Sequence, residues 1–379
     1  MFIKLLKYVF LYKKMVYTKF LTTFFPYITD MRNEIIDYLK CNDKNEINNL
    51  FNKAFKTKLD NVGPKVYLRG LIEYTNMCYK NCYYCGLRRE NNNIQRYNLT
   101  DAEVINAAVF AYKNNFGSIV IQSGEIRNRI FTKQIANLLY KINKETNYKL
   151  GITLSLGEQK KDTLQYWKER GNAIRYLLRI ETSNPALYNK IHPNDELHSF
   201  TNRLETLNKL KKLGYQVGTG TMIGLPFQTL EDIADDIIFF KENDIDMIGL
   251  GPYIEHSSTP LYSYKNELLP LQDRFVLTLK TIAIIRLLIP DVNIASATAL
   301  QTIDPQGREK AILAGANVIM PNISPLKYRS NYLLYENKKG IEETADKSME
   351  HIFNGIRSTN SEIGFGEQGN SLHFMKKEK

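Results

Sequence analysis

Val66-Tyr-Leu-Arg-Gly-Leu-Ile-Glu-Tyr74 is an apolar run of strand length, and three residues beyond it comes Cys78-Tyr-Lys-Asn-Cys82-Tyr-Tyr-Cys85. That second segment holds three of the chain's four cysteines, with three and then two residues between them. Thiolates are the ligands that iron–sulfur clusters require. Each sulfur can therefore hold one corner iron of a 4Fe–4S cube, which leaves one iron open to a substrate or cofactor. A structural zinc site would need four protein ligands; Cys41 lies far upstream in a predicted helix, and no histidine follows Cys85 until His192. Nor do four cysteines so placed form the framework of a disulfide-stapled secreted domain.

The run that leads into the cysteines is the first of eight. Val66–Tyr74, Ser118–Ser123, Leu150–Leu156, Ile174–Ile180, Tyr215–Ile223, Met247–Tyr253, Asn293–Thr298 and Asn317–Pro321 alternate with helical patterns near 101–115, 131–146, 160–170, 200–213, 229–243, 269–288 and 305–314. Strands separated by helices predict an α/β chain whose parallel sheet closes into a (β/α)8 barrel, and no repeat of solenoid length competes. In such a barrel reactive groups sit at the C-terminal ends of the strands. The cysteines fall there, although they played no part in assigning the strands.

Four regions are expected: a basic extension at 1–30, a helical lead-in at 31–60, the barrel at 61–335, and a C-terminal helix near 343–356 with a loose polar tail in 336–379. In the lead-in, Asp43 or Asn45 would cap a second helix, and the helix pair is expected to pack under the barrel. The net charge is +11, but Lys4, Lys7, Lys13, Lys14 and Lys19 stand in a segment without acids and account for +5 of it. Elsewhere the signs are interspersed, which argues against nucleic acid as a partner. Lysines interrupt every apolar stretch of the extension, so no membrane span is expected. The extension also lacks a secretory cleavage pattern, and the absence of Arg and Ser weakens an organelle presequence; Met31 is an alternative start. Sparse cysteine points to a reducing interior.

Strand periodicity sorts the candidate site residues. Positions 177, 179 and 181 share one strand face, so Arg179 and Glu181 point together. A structural salt bridge is the alternative to a site role, but buried pairs contribute little net stability. Thr153 and Ser155 share a face at the end of the third run. Gln122-Ser123-Gly124-Glu125 ends the second, where Gly124 permits close backbone approach and Glu125 can accept from an ammonium group. Arg203 could fork onto a carboxylate or sit on a solvated helix face. The glycines of Gly218–Pro226 allow close approach, with Met222 and Ile223 as apolar contacts, unless the segment is a plain tight turn. Thr298 and Met320 close the last two runs. Tyr328, Tyr332 and Tyr335 have the spacing of helix packing but the location of a site loop. His256 is isolated.

The spacing C-x3-C-x-aromatic-C, with Tyr84 as the aromatic residue, resembles the signature of the radical S-adenosylmethionine (SAM) superfamily. The resemblance implies that the amino and carboxylate groups of SAM chelate the open iron. One electron from the cluster then cleaves SAM to methionine and a 5′-deoxyadenosyl radical. Longer blocks narrow it: Arg69–Asn76, Cys78–Arg89, Arg96-Tyr97, Gln122–Glu125, Leu154–Glu158, Tyr176–Thr182, Gly214–Asp232, Gly249–Pro252 and Gly315–Asn322 resemble the HydE family of FeFe-hydrogenase maturases, in the biotin synthase-like branch. That resemblance implies one 4Fe–4S cluster on Cys78, Cys82 and Cys85, and SAM held by Tyr84, Gln122, Ser123, Gly124, Glu125, Ser155, Glu181, Arg203 and Met222, with the glycines of Gly218–Pro226 near the adenine. It places Thr153, Arg179, Thr298, Met320, Tyr332 and Tyr335 around the substrate, with Arg179, Tyr332 and Tyr335 closest to the chemistry.

The implied substrate is a small organometallic, cysteine-derived species, iron carrying cysteine, CO and cyanide, made by a sister enzyme. The implied partners are other hydrogenase maturation proteins and a reductant such as a ferredoxin or flavodoxin. The implied location is the cytoplasm, or the matrix of a hydrogenosome or mitochondrion-type organelle if residues 1–30 are a presequence. Three departures stand out. No cysteine follows Pro321, which removes the accessory cluster many relatives carry there; Ile180 stands where histidine is common; and Ile126-Arg127-Asn128 follows Glu125. Methylornithine synthase and biotin synthase are rivals on the same barrel, and Cys85-Gly-Leu-Arg-Arg89 argues against both. A non-catalytic iron–sulfur carrier is the rival of another class, and Glu125, Glu181 and Arg203 argue against it.

Overall fold

The computed structural model describes residues 29–342 and 345–377. The basic extension and the question of its role lie outside them, except for residues 29 and 30, which open the first helix. The described strands are β1 (Lys65–Thr75), β2 (Ser118–Ser123), β3 (Gly151–Ser155), β4 (Arg175–Leu177), β5 (Gln216–Thr219), β6 (Met222–Ile223), β7 (Met247–Pro252), β8 (Asn293–Ser296), β9 (Val318–Ile319) and β10 (Glu362–Ile363). Neighbours pair in the order β1-β2-β3-β4-β5-β7-β8-β9, all in parallel, and β9 returns to β1 through Val318 opposite Tyr67 and Ile319 opposite Leu68. The result is a closed eight-stranded barrel, and each of the eight apolar runs supplies one of its strands.

Helix α1 spans 29–40 and α2 spans Lys44–Val62. The outer layer comprises α3 (Asp101–Lys113), α4 (Arg129–Glu145), α5 (Lys161–Gly171), α6 (Pro185–Ile191), α7 (Phe200–Lys212), α8 (Leu230–Glu242), α9 (Leu271–Leu288), α10 (Thr298–Ile303) and α11 (Gly307–Leu313). In α4 the fully buried Ile135, Leu138, Leu139 and Ile142 recur three and four apart. They form one stripe, and each such burial stabilises by roughly 1.5–3 kcal/mol. Side-chain caps fix where helices begin: Thr100 with Glu103 starts α3, and Thr229 with Asp232 starts α8, each as a capping box.

Three expectations are corrected. The run Tyr215–Ile223 is not continuous: it breaks into β5 and β6 at Gly220, whose position leaves no room for a Cβ beside the Gly249 carbonyl. The lead-in pair does not lie under the barrel. Asp43 caps α2, and α2 packs on the flank against α9 and α11, where the Lys280 ammonium of α9 donates to the Leu39 carbonyl at 2.8 Å.

What lies under the barrel is the C-terminal segment, read from its composition as loose. After α12 (Leu326–Arg329) and α13 (Ala345–Ser358), β10 pairs with the start of β1, and residues 366–371 cross the base before α14 (Leu372–Lys377). The Gly369 carbonyl accepts from Arg69 and from Asn293, each at 2.9 Å. Asn370 accepts from Arg175 at 2.6 Å and from Gln216 at 3.0 Å. Strands β1, β4, β5 and β8 thus share one floor. Arg69 and Arg175 are buried without a carboxylate partner among the described residues, and burial lowers both pKa values, that of Arg69 to about 10.

Candidate active site

The loop from Asn76 to Tyr97 leaves and returns at the tip of β1, where Asn98 bridges to Thr75. Its fold is set by its own polar side chains. Arg96 donates from Nη1 to the carbonyls of Asn76 (2.6 Å) and Leu87 (2.9 Å), and from Nη2 to those of Arg88 (2.6 Å) and Asn91 (3.1 Å). A planar fork with several fixed donors suits this better than a lysine would. Asn76 donates to the carbonyls of Gln95 and Asn331 and accepts from the Tyr97 N–H. His198 accepts the Asn81 N–H at 2.8 Å while its other nitrogen faces Asp195 at 2.7 Å. Burial lowers the His198 pKa, which keeps the ring neutral and able to accept.

Cys78, Cys82 and Cys85 are free thiols, close enough for each charge to act on the others. Burial first, then the neighbouring sulfur, pushes Cys82 up to about 12 and raises Cys85 as well. Such thiols stay protonated until a positive centre replaces the proton, which is how thiolate ligands load iron. Among the described residues no three of His, Cys, Asp and Glu crowd round one point as single-ion ligands do; a cube instead takes each cysteine at a separate corner. Free and mutually close thiols, Cys82 buried and Cys78 and Cys85 half-buried, fit such a cluster.

β2 ends against this loop. The Glu125 N–H donates to Cys78 Sγ at 3.3 Å, and the Glu125 carbonyl accepts from the Tyr79 N–H at 2.8 Å. A Cβ at Gly124 would lie 2.2 Å from the Met77 carbonyl oxygen and 2.7 Å from Cys78 Cβ. Only glycine lets the strand end come this near the cysteines.

Glu125 enters a buried lattice of five charged groups. Its Oε2 accepts the Glu158 N–H at 2.8 Å, and its Oε1 meets Arg127 and, at 3.7 Å, Lys80. Glu158 in turn receives Lys80 at 2.9 Å, Arg127 at 2.8 Å and Arg203 at 2.7 Å. Arg203 also donates to the Arg179 carbonyl at 2.6 Å, so it is buried in this lattice and not part of a solvated helix face. Burial raises the pKa of Glu125. For Glu158 burial acts the same way, but Arg203 and Lys80 outweigh it and hold the carboxyl below its ordinary value.

Arg179 and Glu181 point the same way. Arg179 Nε donates to both Glu181 oxygens at 3.0 Å, and Nη2 reaches the Thr221 carbonyl at 2.8 Å. β4 is regular only to Leu177; beyond it Ile180 borrows the Thr219 hydroxyl, and Glu181 takes a left-handed φ of +67°. A charged residue holds that conformation only where its surroundings impose it. Here Glu181 is pinned from both sides, donating to the Gly220 carbonyl and accepting from the Met222 N–H. Tyr84 lies beside this group, with its hydroxyl 3.2 Å from His192 Nε2.

The remaining candidates divide by depth. Thr153 and Met320 line a cavity of about 30 Å³ inside the barrel together with Arg69, and the Thr153 hydroxyl accepts from Arg175 Nε at 3.0 Å. Higher up, Tyr332 is buried with its hydroxyl against Gln122, while Tyr335 meets Thr302; burial raises Tyr332 and brings Tyr335 up to about 12. The three tyrosines are not on one helix, since α12 ends at Arg329. Tyr328 turns outward, stacking on Tyr97 at 4.7 Å and donating to Glu103. Thr298 opens α10 beside a small pocket shared with Leu71, Asn322 and Lys338. Ser123 donates to the Gly124 carbonyl at 2.6 Å, and Ser155 ends β3 half-buried. His256 packs where a Cβ on Gly86 would strike its ring.

Sequence reasoning missed Lys80, Arg127, Glu158 and the Glu73–Lys338 ion pair, whose carboxylate also accepts from Asn322 at 3.0 Å. Glu158 and Lys80 sit in quoted motif segments, so an acid two residues past the end of the run Leu150–Leu156 was the available signal. Lys338 comes from beyond the barrel and gave none.

A model of the radical SAM superfamily matches residues 72–240. The chain is 44% identical over 307 residues, 81% of its length and 84% of the relative's, to the FeFe-hydrogenase maturase subunit HydE of Thermotoga maritima. It is 27% identical over 300 residues, 78% of the chain and 81% of the relative, to 3-methylornithine synthase of Methanosarcina acetivorans. Among solved structures, methylornithine synthase superposes with a TM-score of 0.74 at 22% identity, covering 88% of this chain and 94% of that one. HydG, another FeFe-hydrogenase maturase, superposes with 0.72 at 18%, covering 92% and 79%. These two likenesses are of fold. No described helix is long and apolar enough to cross a membrane.

Proposed function

The chain belongs to the radical SAM superfamily and to the family of the FeFe-hydrogenase maturase HydE, and from that premise we propose that Cys78, Cys82 and Cys85 hold one 4Fe–4S cluster on which SAM is bound and cleaved. The chain is thus a radical SAM enzyme. The observation that carries the site assignment is the Glu125 N–H donated to Cys78 Sγ, which ties the cysteine loop to the carboxylate lattice. When bound, the cluster supplies the electron that splits SAM into methionine and a 5′-deoxyadenosyl radical.

The protein's part is to bind and orient. Glu125, already facing Arg127 and Lys80, takes the SAM ammonium as a further cation. Arg203 spends Nε on Glu158 and Nη1 on the Arg179 carbonyl, which leaves Nη2 for the SAM carboxylate. Ser155, Glu181, Gln122, Ser123 and Tyr84 complete the contacts, with Met222 against the adenine. Arg179, Thr153, Thr298, Met320, Tyr332 and Tyr335 line the space for an iron–cysteine–CO–cyanide precursor, and an enclosed barrel keeps water from it. A ferredoxin or flavodoxin supplies the electron, and other maturation proteins supply and receive the metal species.

The test is anaerobic reconstitution with iron and sulfide, followed by dithionite and SAM. We expect 5′-deoxyadenosine that disappears with alanine at any of Cys78, Cys82 or Cys85. A full cluster with SAM bound and no 5′-deoxyadenosine would reduce the chain to a carrier.

A further inference from the structure

We propose that a small acidic one-electron carrier protein docks on the groove between the starts of α4 and α5. The inference rests on the cluster assignment above and adds where the electron enters. The groove has a volume of about 530 Å³, and Arg127, Arg129, Lys133 and Lys160 face it against a single acid, Asp162. Arg127 is neutralised by Glu125 and Glu158. Arg129, Lys133 and Lys160 are exposed and have no ion-pair partner among the described residues. Clustered charge of one sign on a surface steers and holds a partner of the other sign.

The groove also carries exposed apolar groups of the kind that pack at interface centres. Tyr166 in its wall is 37% exposed; outside the wall, Ile130, next to Arg129 on α4, is 71% exposed and Tyr79, from the cysteine loop itself, 42%. Asn128, in the groove wall, donates to the Tyr79 hydroxyl at 3.3 Å.

Its position gives the groove a role. Arg127 lines it and lies two residues from Glu125, whose N–H is bonded to Cys78 Sγ. A carrier seated there is separated from a cluster ligand by one short stretch of backbone and one hydrogen bond. In the transfer the carrier loses one electron and the cluster gains one; no atom moves and no bond forms or breaks. The carrier's acidic face meets Arg129, Lys133 and Lys160, and its apolar rim covers Ile130 and Tyr79.

The experiment uses reconstituted holoprotein and flavodoxin hydroquinone as the probe, at low and high salt. It reads the flavodoxin Kd and the rate at which the reduced-cluster EPR signal grows. The triple variant Arg129→Glu, Lys133→Glu, Lys160→Glu should bind about tenfold more weakly at low salt and lose most of the salt dependence. The same number of reversals on α2, at Lys44, Lys53 and Lys56, should change neither, and dithionite should reduce all three proteins at the same rate. Unaltered affinity in the groove variant, or an equal loss in the α2 variant, overturns the docking site. Failure of the dithionite-reduced wild type to cleave SAM strikes the cluster assignment instead and leaves the binding result to be read separately.

Discussion

Replacing Gly124 with alanine should cost the cysteine loop more than half of its iron without unfolding the barrel. The added Cβ would sit 2.2 Å from the Met77 carbonyl oxygen and 2.7 Å from Cys78 Cβ. Non-bonded carbon contacts settle near 3.5–4 Å, so the loop must withdraw by about 1 Å. It cannot do so freely, because Arg96 and Asn76 fasten both of its ends. Overpacking of this kind costs about 1–3 kcal/mol. The Glu125 bond to Cys78, already 3.3 Å long, would stretch past bonding range and forfeit about 1 kcal/mol more. For a domain of this size the apo-protein midpoint should fall by only a few degrees, at roughly 2 °C per kcal/mol. Iron and sulfide bound per chain after anaerobic reconstitution should drop below half of wild type. Gly249→Ala is the control, since nothing lies within 4 Å of a Cβ there. Wild-type iron content in Gly124→Ala would refute the claim that β2 positions the cysteines.

Glu158→Gln removes one of two acids facing Lys80, Arg127 and Arg203; breaking such a buried set should destabilise by about 3–5 kcal/mol in denaturant and weaken SAM binding to the reconstituted protein, and unchanged values on both counts would contradict the lattice. Deleting 362–377 removes the floor bonds to Arg69, Arg175, Gln216 and Asn293; at about 0.5–1.5 kcal/mol each, denaturant titration should show a loss of several kcal/mol. Asp236 is buried, one oxygen held by Ser183 and the other without a partner among the described residues, and burial raises its pKa from 3.8 to about 7. A folded value above the unfolded one means stability that is present below pH 3.8 and lost as pH rises towards 7, by at most ~4 kcal/mol at 1.36 kcal/mol per decade. Thermal midpoints of wild type should therefore fall between pH 4 and 7, relative to Asp236→Asn; parallel curves would exclude Asp236 as the cause.

The barrel was legible because its strands are continuous apolar runs bounded by helical periodicity, and the cysteine loop because three thiols in eight residues have few other uses. Alternation predicted a shared face for Arg179 and Glu181, and the two do meet, although β4 ends at Leu177 and it is Gly220 and Met222 that hold Glu181 in place. What escaped was set by tertiary packing. For Arg203 the sequence allowed both a carboxylate fork and a solvated helix face, and only the packing of α7, which sets it on Glu158, decides between them; Lys80 between two cysteines carries no periodic signal. The break at Gly220 depends on the Gly249 backbone, which is remote in sequence. The C-terminal segment read as loose because its composition is polar, yet those polar groups are what the inward side chains at the barrel base require.

That floor also bears on how the protein is made. The residues that seal the barrel follow all eight strands in the chain, so during synthesis the base stays open to water until they emerge from the ribosome. The Arg69 and Arg175 guanidiniums remain hydrated through that interval and pay their desolvation only in the last step of assembly. A nascent barrel paused before residue 366 would lack all of these floor bonds.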